Sequence, residues 1–176
     1  MGKRTASPRR TPRPAQAPPA RSQPPTPFDR ELTTKRRGEI SELAFALAAA
    51  RHGFGISKPF GDSERYDIIL DPGQPNSRPR LIRVQVKSTN SLLFGLYHVG
   101  LQRKLNGRVV RYELSEIDFI AAYVIPEDSW FLFPFPHILG RTALLLNPKR
   151  RRKPHPYDSY REAWHYLYEP DGLEFA

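Results

Sequence analysis

Asp67 stands in the run Arg65-Tyr66-Asp67-Ile68-Ile69-Leu70, and Gln85 and Lys87 stand in Leu81-Ile82-Arg83-Val84-Gln85-Val86-Lys87-Ser88. Both runs read as strands. Side chains of a strand point alternately to opposite faces, so Gln85 and Lys87 share one face while Ile82, Val84 and Val86 share the other. A carboxylate, an amide and an amine are then expected to converge at one sheet edge. Hard oxygen donors of this kind hold a divalent cation, and an ammonium beside a metal-bound water completes the equipment for hydrolysing a phosphodiester.

Each residue also has a plainer use. Asp67 suits a turn cap or an ion pair with Arg83, and Lys87 suits a solvated strand position. Asp62 and Glu64 read as turn residues, and Asp118, ahead of an apolar strand, as a structural hydrogen-bonding group, with a solvent-facing place in a second metal site as the alternative. His52, His98, His137, His155 and His165 show neither H-x-H nor H-x-x-x-H spacing, which argues against a histidine metal site or triad. Trp130 and Trp164 read as core or interface anchors rather than base-stacking platforms.

The elements that must carry the triplet follow from periodicity. Thr33 and Thr34 are candidate caps, and Ile40, Leu43, Ala44 and Leu47 recur on one helical face until Gly53 offers a C′ stop. Strands are expected at Gly55–Lys58, Tyr66–Leu70 and Leu81–Ser88, with turns at 59–62 and from Asp71. An apolar-polar stretch, Leu92–Leu101, precedes the turn Asn106-Gly107 and a strand at Arg108–Leu114. Phe119–Ile125 and Ser129–Phe133 flank the turn Pro126-Glu127-Asp128, and Ala143–Leu146 adds a strand. Ser159-x-x-Glu162 ahead of Trp164 and Leu167 has the form of a capping box and predicts a short final helix. The expectation is an α/β fold, a mixed central sheet flanked by helices.

Composition points to a polyanionic partner. The chain has 28 Lys and Arg against 18 Asp and Glu, a formal net charge of +10 and a pI near 10.1, the footprint of a nucleic-acid-binding protein. It has no Cys, which excludes disulfides and a thiolate zinc site. No apolar run approaches the ~18 residues that span a bilayer, and the amino terminus lacks the apolar segment of a signal peptide. A cytoplasmic protein that does not enter membranes is expected.

Residues 1–30 hold eight prolines and seven basic residues against one acidic residue. Such a segment cannot bury enough apolar surface to offset its ordering entropy, so a disordered tail is expected at 1–30 and one folded domain at 31–176. The tail suits a sequence-independent DNA tether, and equally a solubilising leader or a start site placed too far upstream. Lys149-Arg150-Arg151-Arg152-Lys153, between Pro148 and Pro154, is the densest charge in the domain. It is either an exposed loop or a surface whose mutual repulsion a phosphate backbone relieves. Lys35, Arg36 and Arg37 could serve the same DNA surface.

The ordered set resembles the PD-(D/E)XK nuclease superfamily. Gly38-Glu39-Ile40-Ser41-Glu42 looks like its helical G-x-x-x-E element, Pro59-Phe60-Gly61 before Arg65-Tyr66-Asp67 like its approach to the catalytic strand, and Val84-Gln85-Val86-Lys87-Ser88 like its final motif. Glu116-Ile117-Asp118-Phe119, the strand ending in Phe133-Pro134, and Tyr160-Arg161-Glu162-Ala163-Trp164 resemble one branch, the group I intron homing endonucleases of this type and their genomic relatives. The resemblance runs from about Thr34 to Leu167. Tyr66 replaces the proline of the superfamily's name, which does no chemistry. Gln85 stands where the signature has Asp or Glu, a substitution that recurs in this branch and removes one negative charge from the site.

The resemblance implies a restriction-endonuclease-like core and a Mg2+-dependent endodeoxyribonuclease, with Mn2+ a plausible substitute. Asp67, the Gln85 side-chain oxygen and the Val86 carbonyl are then the metal ligands on the strands, and Lys87 orients the attacking water. Glu42 would ligate from the helix; Glu39, one turn away and nearer the Leu43 and Leu47 stripe, is the competing choice, and the four-residue offset from Gly38 favours Glu42. The expected partner is double-stranded DNA, and cutting both strands with one site per chain favours a homodimer or tetramer. Holliday-junction resolvases share the helical motif but not the downstream match. A catalytically silent DNA-binding protein of the same fold is the rival from another class, with Gln85 in its favour.

Overall fold

The computed structural model of the chain describes residues 33–61, 63–73, 80–105, 107–149 and 154–168. The expected tail, Asp62 and the basic residues Arg150, Arg151, Arg152 and Lys153 lie outside the described residues.

Helix α1 spans Thr34–Arg51. Thr33 caps it by accepting the Arg36 N–H on its hydroxyl, and Gly53, at φ +86°, ends it in the left-handed conformation that a Cβ disfavours. Ten strands follow among the described residues: β1 Gly55–Ser57, β2 Ile68–Asp71, β3 Ile82–Thr89, β4 Leu92–Leu93, β5 Leu96–Gly100, β6 Arg103–Leu105, β7 Arg108–Val110, β8 Phe119–Val124, β9 Ser129–Pro134 and β10 Ala143–Leu146. The central sheet has the order β1-β2-β3-β8-β9, with β3 and β8 parallel and every other pair antiparallel. A parallel pair needs a long crossover, and here it is filled by β4–β7 rather than by a helix. Strands β4 and β5 meet at Phe94-Gly95, both at positive φ as a tight two-residue hairpin requires. β5 pairs with β10 to complete a second sheet, β10-β5-β4, while β6 and β7 pair with each other as a separate ribbon.

The central sheet lies between two layers. On one face Ile120, Ala122, Val124, Phe131 and Phe133 pack with Tyr97, Val99, Leu144 and Leu146 of the second sheet. On the other, Phe45 of α1 packs against Trp130 (ring centroids 5.3 Å) and Trp164 (5.7 Å). All six residues of β8 and all six of β9 are buried, which makes this pair the centre of the domain. The fold class is the one expected, with the qualification that α1 is the sole α-helix among the described residues.

Three local expectations are corrected. The buried face of α1 is Ser41, Phe45 and Ala49, whereas Leu43 and Leu47 of the expected stripe are 67% and 56% exposed. The carboxy-terminal segment forms two 3-10 turns, Asp158–Tyr160 and Trp164–Leu167, instead of a helix. Between them Glu162 sits at φ +50° and turns inward, accepting the Trp130 N–H at 2.7 Å and the Trp164 indole N–H at 3.0 Å, so it is not free to act as the second half of a capping box. The strand expected to run to Leu114 stops at Val110, which releases Tyr112 into the core.

Candidate active site

β2 and β3 pair with Ile68 opposite Val84 and Ile69 opposite Arg83. That register ends at Ile68, and Asp67, the residue before it, reaches Gln85 through its side chain. The Asp67 N–H bonds the Val84 carbonyl at 2.9 Å, one residue out of the ladder's register. The next N–H along that edge of β3, on Val86, has no strand partner because β2 starts at Ile68. The Asp67 side chain supplies one: its Oδ2 accepts the Val86 N–H at 2.7 Å and also the Gln85 Nε2–H. The same amide donates to the Val86 carbonyl at 3.2 Å. Asp67 is thus both a strand-end cap and a carboxylate aimed at the gap between strands.

Burial pushes the Asp67 carboxyl up to about 6; the Val86 hydrogen bond opposes the shift, the charge of Glu42 adds to it, and Lys87 and Lys58 oppose it. Glu42 accepts the Lys58 ammonium at 2.7 Å with its side chain 21% exposed. Glu39 pairs instead with Arg36 at 3.2 Å and is 41% exposed. Both glutamates line a groove of about 640 Å³ with Asp67, Lys35 and Lys58, but it is the charge of Glu42 that acts on Asp67.

Lys87 donates to the Tyr112 hydroxyl at 2.9 Å. Burial draws its ammonium below the usual lysine range, with Asp67 opposing and Arg103 adding to the shift. Tyr112 is itself buried, held edge-on to Phe135 at 6.5 Å and covered by the Arg103 guanidinium 5.5 Å from its ring centroid. Arg103 and Arg65 both pair with Glu116, at 3.0 and 3.1 Å. Lys87 lines a second groove, about 340 Å³, with Arg37, Gly38 and His98. Gly38 lines both grooves, and a Cβ built there meets nothing within 4 Å.

The donors around Asp67 suit a hard cation. They comprise the carboxylates of Asp67 and Glu42, a backbone carbonyl and an amide; Glu42 already pairs with Lys58, and a divalent ion would offset the charge of Asp67. Gln85 presents its nitrogen to Asp67, so ligation through its oxygen requires the amide to turn over about its terminal torsion. Among the described residues no three His, Cys, Asp or Glu side chains gather to hold a metal, in keeping with the charge missing at position 85.

The expected strand triplet and Glu42 therefore come together, while the expected DNA residues divide. Lys35 is exposed at the larger groove. Arg37 donates to the Asn90 side chain at 2.9 Å, Arg36 is paired with Glu39, and Lys149 with Glu127 at 3.1 Å. Asp118 is structural as expected, accepting the Arg83 N–H at 2.8 Å and its guanidinium at 3.0 Å. Trp130 and Trp164 are core residues. Sequence reading missed Tyr112, Lys58 and Arg103, because no spacing relates them to the triplet.

The profile of the PD-(D/E)XK endonuclease family matches residues 32–167. Among solved structures the chain is similar to a bacterial homing endonuclease, I-Ssp6803I, at 31% identity and a TM-score of 0.68, over 82% of this chain and 99% of that one. No curated protein matches the chain.

Proposed function

Because the chain belongs to the PD-(D/E)XK endonuclease family, we propose that it cuts double-stranded DNA by metal-dependent phosphodiester hydrolysis, in the manner of a homing endonuclease. The observation that carries this reading is the meeting of Asp67, Gln85 and the Val86 carbonyl at one strand edge, with Glu42 facing them and Lys87 on the same strand face. Asp67 and Glu42 would hold a divalent cation, Mg2+ or Mn2+ in its place, together with the Val86 carbonyl and the Gln85 oxygen. When bound, such an ion supplies Lewis acidity and an activated water. Lys87, held by Tyr112, directs its ammonium at the charge that develops on the phosphoryl oxygens. Its partial burial strengthens that interaction by excluding water. Lys58, already on Glu42, is placed to follow a phosphate into the groove.

The expected result is Mg2+-dependent nicking of supercoiled DNA that Asp67→Ala abolishes while DNA binding persists. Lys87→Ala should depress the single-turnover rate by a factor of about 100 or more with little change in affinity. Wild-type nicking by the Asp67 variant removes that residue from the site.

One observation favours a silent DNA-binding module: Gln85 brings an uncharged amide to Asp67, one negative charge fewer for a cation than a carboxylate there would supply. Gln85→Glu separates the two readings. An enzyme keeps at least partial activity and needs less magnesium for half-maximal rate, whereas a silent module is inactive as wild type and gains cleavage only in the variant.

A further inference from the structure

The β6–β7 ribbon belongs to neither sheet, pairing Arg103 with Val110, Lys104 with Val109 and Leu105 with Arg108. Cross-strand partners share a face, so Arg103 and Val110 define one side, and Lys104 and Val109 the other. The first side is rooted. Arg103 is only 16% exposed, pairs with Glu116 and covers the ring of Tyr112, the residue whose hydroxyl holds Lys87. The second side faces solvent: Lys104, Val109 and, one residue past the strand, Arg111 are all exposed. Among the described residues neither cation of that face forms an ion pair. From Gln102 to Tyr112 the sequence contains Arg103, Lys104, Arg108 and Arg111 and no acidic residue.

A two-stranded ribbon of three residues per strand gains little stability by itself, so an unpaired cationic face with a β-branched residue at its centre, 57% exposed, calls for an external partner. The partner is polyanionic by charge. Its shape is also constrained, since a β-ribbon fits the ~12 Å major groove of B-DNA, where cations meet phosphates and guanine edges and an apolar side chain meets the thymine methyl.

We propose that the β6–β7 ribbon is a duplex-reading arm that enters the major groove beside the cleaved phosphate, with Lys104 and Arg111 on the DNA and Val109 against base-edge methyl groups. The inference rests on the DNA-cleaving function proposed above and adds the surface by which a site is recognised. Because the root of the arm shares Tyr112 with Lys87, the arm fixes where along the duplex that lysine falls.

The test uses the full chain, a random-sequence duplex of about 30 base pairs, and Ca2+ in place of Mg2+ to hold the DNA uncut. Lys104→Ala with Arg111→Ala should weaken binding at least tenfold and reduce the slope of log affinity against log salt by about 2, at an unchanged thermal midpoint. Lys104→Arg with Arg111→Lys, which preserves both charges, should keep the slope. Val109→Ala should keep the slope too, yet relax the bases selected when a randomised library is cut in Mg2+. Unchanged affinity and slope in the double alanine variant overturn the arm while leaving the nuclease intact. Loss of self-association with DNA affinity retained overturns it in favour of a contact between copies. A wild type that binds no duplex overturns both the arm and the DNA-cleaving reading.

Discussion

At Asp67 the surroundings act on the carboxyl in opposite directions. The Val86 N–H favours the carboxylate, but burial and the neighbouring Glu42 outweigh it and push the group from 3.8 up to about 6. The folded state therefore binds the proton more tightly than the unfolded chain. This group's contribution is most favourable below about pH 4 and is lost as pH rises through about 6. Asp67→Asn keeps an oxygen for the Val86 N–H and carries no charge to desolvate. Without metal it should be more stable than wild type at pH 7.5, on the order of 1–2 kcal/mol, with the gain vanishing near pH 4 and cleavage abolished. Urea unfolding at both pH values checks this; a variant less stable than wild type at pH 7.5 contradicts it. The triplet was legible because the strand period is two, which sets Gln85 and Lys87 on one face, and the register Ile68 opposite Val84 leaves Asp67 at the end of β2 beside Gln85. Tyr112 was not legible, since 25 residues separate it from Lys87 and only the crossover between parallel strands closes that distance.

At the scale of the element, the strands of the central sheet and the extent of the helix read true, but the buried face of the helix did not. The segment Leu43-Ala44-Phe45-Ala46-Leu47-Ala48-Ala49-Ala50 is apolar almost all round, so helical periodicity alone selects no face. The face is chosen by tertiary packing: Phe45, fully buried, fits between Trp130 and Trp164, and Trp130 stacks on Tyr123 at 4.3 Å. Leu43 and Leu47 are thereby turned to the surface. Phe45→Ala leaves a cavity between two tryptophans and should cost about 3–5 kcal/mol, while Leu43→Ala should change stability by no more than about 0.5 kcal/mol. Equilibrium unfolding of the two variants decides, and a reversed order would restore the stripe read from sequence. The capping-box pattern failed for a related reason. Ser159 and Glu162 have the right spacing, but the donors of Ser129, Trp130 and Trp164 claim the Glu162 carboxylate, a competition invisible along the chain.

At the scale of the whole molecule, charge and site number set the behaviour. Residues 1–30 carry seven of the chain's basic residues and one acidic residue. Deleting them should flatten the salt dependence of non-specific DNA binding and leave the thermal midpoint of the domain nearly unchanged; a large fall in midpoint would show that they pack on it. Each chain supplies one Asp67–Lys87 site, whereas a duplex presents two scissile strands of opposite polarity. A two-fold assembly places one site on each strand without altering either. In that case a limiting concentration of protein should convert supercoiled plasmid first to nicked circles, and the linear product should rise more steeply than linearly with protein concentration until assembly is complete. Mixing wild type with an excess of Asp67→Ala should then trap nicked DNA, because mixed assemblies hold one working site. If the inactive chains leave the ratio of linear to nicked product unchanged, each chain works alone and the two-fold assembly is wrong.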